Sequence, residues 1–176
     1  MQALTHFSLP IKGLENGIHE YQFSVSDEFF KQFEDSLIKK GSFDLNLEVE
    51  KRSNHIEVEF DIEGSIETDC DRCNAKIDLP VEGIHKLIIK FSTEEISTDE
   101  EVWKVSFETE SLDLSKAINE FVILSMPIVK TYDCEYDDPK PCNEKVKAYL
   151  EEDDEETDED ISDNPFADIL KNIELN

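Results

Sequence analysis

Phe43-Asp44-Leu45-Asn46-Leu47-Glu48-Val49-Glu50, then Lys51-Arg52-Ser53-Asn54-His55, then Ile56-Glu57-Val58-Glu59-Phe60-Asp61-Ile62-Glu63: this stretch decides the fold. Apolar and polar side chains alternate strictly on both sides of the Arg52-Ser53-Asn54 turn. Successive side chains of a strand point to opposite faces, so each arm buries one face and wets the other. The pattern predicts an antiparallel hairpin with one apolar face and one acidic, solvated face.

Outward from the hairpin, the second arm is expected to bend at Gly64 and to continue through Ile66 to Cys70. A third ribbon, Val81 to Phe91, turns apolar on both faces toward its end, as a centrally placed strand does. Three helices are expected. Ser26 caps the first, which runs to about Lys40 with Asp27 and Glu28 in its first turn and Phe29, Phe30, Phe33 and Leu37 as its apolar stripe. Asp113 caps the second, Leu114 to about Ser125, ended by Met126-Pro127. Cys142 to Leu150 is the third. The implied fold class is α+β: a twisted antiparallel β-sheet with helices packed on it, in a single domain spanning residues 1–150.

Composition changes at Glu151. Glu151 to Asp160 holds nine acidic residues in ten, and such a run repels itself and stays solvated, so residues 151–163 read as an acidic disordered linker. Beyond it, residues 164–176 form an amphipathic docking segment. Its Phe166, Ile169, Leu170 and Ile173 fall at the spacing of a short C-terminal helix. The whole chain of 176 residues carries 17 basic against 44 acidic side chains, a net charge of −27. That field disfavours general attraction to a phosphate backbone. The longest apolar run is far below the roughly 20 residues of a membrane span. With no basic, apolar leader at Met1 to Pro10, a cytoplasmic protein with reduced thiols and no membrane partner is expected.

Cys70-Asp71-Arg72-Cys73 is a C-x-x-C element, a spacing that lets two thiolates face one ion. Cys134 and Cys142, with seven residues between them, could supply the other half of a tetrahedral structural zinc site. Free buried thiols are the alternative reading. His6, His19, His55 and His85 are scattered, with none at i, i+4 to a second ligand on a helix. There is no G-x-G-x-x-G, no G-x-x-x-x-G-K-[ST] and no G-x-S-x-G. No catalytic residue is nominated and no enzyme is expected.

Three ordered landmarks carry a resemblance: Cys70-x-Arg72-Cys73; Asp113-Leu114 through Glu120-Phe121-Val122-Ile123-Leu124-Ser125-Met126-Pro127 with the Asp133-Cys134 loop after it; and Asn164-Pro165-Phe166-Ala167 followed by Ile169-Leu170. On these the chain resembles the YceD family, the large ribosomal RNA subunit accumulation proteins. It departs from the family pattern in the wide spacing of its second cysteine pair. The resemblance implies a non-enzymatic ribosome biogenesis factor that supports 23S rRNA processing and accumulation and large-subunit assembly. The expected partner of so acidic a chain is a basic ribosomal protein or a pre-large-subunit particle, with rRNA contact indirect. Arg72, Asn164, Pro165, Phe166, Ile169 and Leu170 are the candidate partner contacts. The alternatives are direct rRNA binding through basic spots (Lys39-Lys40, Lys51-Arg52, Arg72 and Lys140 to Lys147) and a zinc-binding interaction module.

Overall fold

The computed structural model describes residues 7–34, 36–92, 102–134 and 137–149. By compactness the chain divides into two units: Met1–Thr68 with Asp78–Lys130, and Asp69–Ile77 with the chain from Thr131 onward. The expected acidic linker 151–163 and docking segment 164–176 lie outside the described residues.

The first unit opens with β1 (Ser8–Pro10), β2 (Gly17–Val25) and α1 (Asp27–Phe30). It continues with β3 (Gly41–Lys51), β4 (His55–Asp69), β5 (Lys76–Phe91), β6 (Val102–Val105), β7 (Ser111–Asp113) and α2 (Ser115–Ser125). β4 and β5 extend by their ends into the second unit. Five strands form one sheet in the order β2-β3-β4-β5-β6, and β1 pairs with β7 in a small second sheet. The expected hairpin is β3 and β4, antiparallel with Glu48 opposite Glu59, and Arg52 N–H donates to His55 O at 2.9 Å across its turn. β2 adds antiparallel to β3. The all-antiparallel expectation is corrected at the far side, where β6 runs parallel to β5.

The apolar halves of the alternation make the core. Phe43, Leu45, Leu47 and Val49 of β3 and Ile56, Val58, Phe60 and Ile62 of β4 are all buried. Removal of each such side chain from water contributes about 1.5–3 kcal/mol. Rings close over this face: Phe30 meets Phe43 at 5.9 Å between centroids, and Phe121 meets Phe60 at 5.1 Å.

A further expectation is corrected. The first helix ends at Phe30 rather than near Lys40. Gln32, Phe33 and Ser36 then bond back only three residues, to Phe29, Phe30 and Phe33. Ser26 holds the cap position without a side-chain bond, and the neighbouring Asp27 carboxylate accepts from Gly41 N–H (2.8 Å). The segment must also sink Ile38 into the core, which leaves Leu37 exposed. The second arm continues past Gly64 to Asp69 as one strand, paired with β3 as far as Ile66, and the absent Cβ of Gly64 leaves room for Phe43 and Ser42 O on the neighbouring strand. The second helix stands as expected, with Asp113 Oδ1 accepting from Ser115 N–H at 2.8 Å. Residues 144–149 are helical, beginning just after Cys142. Among the described residues no helix is long and apolar enough to cross a membrane.

Candidate functional site

The second unit gathers the four cysteines. At the end of β4 the chain turns sharply: Cys70 N–H donates to Ala75 O and Asn74 N–H to Cys70 O, both at 2.8 Å. Asn74 adopts the left-handed conformation, φ 54°, which asparagine tolerates better than most residues. This turn buries Cys70 and Cys73. The chain from Thr131 supplies half-buried Cys134 and Cys142, and all four line one open cavity together with Arg72 and Lys147. All four are free thiols.

The thiols interact with one another. The Asn143 backbone N–H, foremost, holds the Cys73 thiol below its ordinary pKa against the opposing effect of burial; Ala75 N–H and the thiols of Cys70 and Cys142 assist. Cys142 is pushed up to about 11, first by its hydrogen bond with Cys134, then by burial and by the charge of Cys134 and Cys73. The contacts therefore run Cys70, Cys73, Cys142, Cys134. Among the described residues no group of three or more His, Cys, Asp or Glu side chains is arranged so that it could hold a metal ion.

In the first unit the outward half of the alternation builds a carboxylate face. Register sets Glu20 beside Glu48 and Glu48 beside Glu59. The rows on either side carry Glu50 opposite Glu57, Asn46 opposite Asp61 and Asp44 opposite Glu63. A shallow hollow lies on this face, lined in part by Glu20, Glu48, Glu59 and Asp61. Lys86 reaches Glu59 at 2.9 Å, and its pKa is raised by that hydrogen bond first, then by the charges of Glu59, Glu57 and Glu48.

One serine-histidine contact is not a nucleophile pair. Ser125 Oγ donates its only proton to Phe121 O at 2.8 Å. His85 Nε2, 2.8 Å from the same oxygen, must then be the donor to it and leaves no base to activate the hydroxyl.

A family model described as large ribosomal RNA subunit accumulation protein YceD matches residues 58–173, more than half of the chain. The chain belongs to the YceD family. No curated protein and no solved structure gives a match. The matched YceD span takes in all four cysteines, α2 and the second unit up to residue 173.

Of the residues expected to matter in this YceD chain, Cys70, Cys73, Cys134, Cys142 and Arg72 are brought to one cavity. Asn164, Pro165, Phe166, Ile169 and Leu170 lie outside the described residues. The basic spots fare differently. Lys40 binds Glu67 through both carboxylate oxygens, at 2.8 and 3.0 Å. Arg52 contacts Glu50 and Glu57, and Lys51 donates to Leu14 O. Sequence reasoning missed Glu20 and the whole of β2, although Tyr21, Phe23 and Val25 alternate there with Glu20, Gln22 and Ser24. It also missed the amides of Ala75 and Asn143, since backbone donors leave no mark in a sequence.

Proposed function

We propose that this YceD-family chain acts as a non-enzymatic factor in large-subunit accumulation by holding a lysine- and arginine-rich protein of the subunit, or an assembly intermediate that displays one, on the acidic face of its sheet. One observation carries the reading: Glu48 stands directly between Glu20 and Glu59 on neighbouring strands. Like charges directly opposite cost stability, with cross-strand pairs worth roughly 0.2–1 kcal/mol each. A surface that served solubility alone would intersperse the two signs. A cationic client relieves the repulsion, and the long-range field speeds its encounter. Phe166, Ile169 and Leu170 would add an apolar anchor beyond the acidic run, and Arg72 a polar contact.

Direct rRNA binding draws less support. Each phosphate contact needs a cation, and Lys40 and Arg52, central to two of the basic spots, already hold carboxylates.

The test is titration of the full chain with purified basic large-subunit proteins at low and high salt, beside the Glu48→Lys variant. Affinity is expected to fall with salt and to weaken at least tenfold in Glu48→Lys. The same variant should unfold at equal or higher urea, because its lysine faces two glutamates. Binding indifferent to salt and to Glu48→Lys would overturn the proposal. So would crosslinks to rRNA that persist once ribosomal proteins are stripped away.

A further inference from the structure

The outer side of the five-stranded sheet is divided by charge along the line between β4 and β5. On β4 the outward side chains from residue 57 to residue 63 are Glu57, Glu59, Asp61 and Glu63. On β5, past Glu82, they are Ile84, Lys86, Ile88 and Lys90. Register with β6 puts Val102 beside Ile88 and Lys104 beside Lys90 on that same side, because paired residues of neighbouring strands share a face. The Lys86–Glu59 bridge at 2.9 Å joins the two halves into one continuous surface.

Ile84 is 66% exposed and Ile88 39%. Lysines near a sheet edge are accounted for by solubility, since they keep a further strand from adding there. Isoleucines exposed between those lysines are not. Ile84 and Ile88 flank Lys86 on one face, and Val102 carries the apolar surface from Ile88 onto the next strand. A contiguous apolar patch rimmed by polar groups marks a contact with another protein.

We propose that this strip is the second half of the client site: Ile84, Ile88 and Val102 receive aliphatic side chains of the bound protein, and Lys90 a carboxylate beside them. The client is thus a segment of two signs, rich in Lys and Arg where it crosses β2 to β4, and apolar with an acidic residue where it crosses β5 and β6. The proposal rests on the acidic-face reading and adds which cationic proteins that face accepts. A uniform polycation meets like charge at Lys86 and Lys90, the kind of juxtaposition that rejects wrong partners. A phosphate backbone laid along the strip would lie one strand spacing, about 5 Å, from the β4 carboxylates. A second copy of this chain is also a poorer occupant, since two molecules of net charge −27 repel on approach.

The test titrates the full chain, at low and high salt, with the basic large-subunit protein that the wild type holds most tightly. Ile84→Thr combined with Ile88→Thr keeps β-branched side chains at exposed strand positions, so the sheet is retained. This double variant is expected to weaken binding about tenfold or more, the scale of one aliphatic side chain withdrawn from water, with the salt dependence unchanged because the lost contact carries no charge. Lys90→Glu, which leaves the isoleucines in place, should weaken the same protein severalfold and tighten a polylysine peptide. Wild-type affinity in the isoleucine variant, while Glu48→Lys still weakens binding, would overturn this proposal and leave the acidic face standing. Indifference to every one of these substitutions would overturn both. A wild-type dimer that the isoleucine variant turns into monomers would give the strip to a second copy and overturn the proposal, as would protein-free rRNA that binds the wild type and loses affinity in Lys90→Glu.

Discussion

His85 shows how much one side chain can tie together. From β5 it donates to Ser125 Oγ at the end of α2, and its ring stacks on Phe121 with centroids 4.9 Å apart and planes 7° from parallel. Gly83, two residues earlier, keeps this contact possible, since a Cβ there would stand 2.2 Å from the same hydroxyl oxygen. Burial lowers the His85 pKa, so the folded state prefers the neutral ring more strongly than the unfolded chain does. The stability this represents is present above the unfolded histidine value, about 6.5, and is lost as pH falls through the lower folded value. Urea unfolding of the wild type should therefore show a decline on acidification through this range. His85→Gln, which keeps a donor for Ser125, should be less stable at neutral pH by about 0.5–1.5 kcal/mol for the lost ring stacking, and the gap should narrow as pH falls. A gap that is constant or widens would refute the assignment.

Among the elements, β4 tests how a strand passes a glycine. Its neighbours at Gly64 are the Ser42 carbonyl and the Phe43 side chain, 2.2 and 2.5 Å from where a Cβ would be. Gly64→Ala is expected to lower stability by about 1–3 kcal/mol, as overpacking does, measured by the urea midpoint; a neutral substitution would show that β3 can yield there. The β3–β4 hairpin was legible in the sequence because alternation over both arms fits no helix and the turn residues fall between them. The first helix misled because Phe29, Phe30 and Phe33 keep helical spacing while the chain tightens into three-residue turns to bury Ile38. Parallel pairing of β6 with β5 depends on a crossover that no local pattern encodes. The cysteines were legible by type. Their convergence was not, since seven intervening residues obey no spacing rule.

At the scale of the molecule, two effects of salt compete. Exposed pairs such as Lys40 with Glu67 and Lys76 with Asp69 contribute about 0–1 kcal/mol each and weaken on screening. Self-repulsion among 44 acidic groups facing 17 basic ones weakens as well, and the imbalance makes this the larger change. Added sodium chloride should thus raise the urea midpoint, whereas a fall would mean that the pairs outweigh the net charge.

The same charge protects the end of the sheet. β2 is a nine-residue strand whose strand neighbour among the described residues is β3 alone, and an open edge of that length is a template for fibre growth. Two copies meeting edge to edge would set one carboxylate face beside another in a single extended sheet. Repulsion between those faces opposes growth along this border.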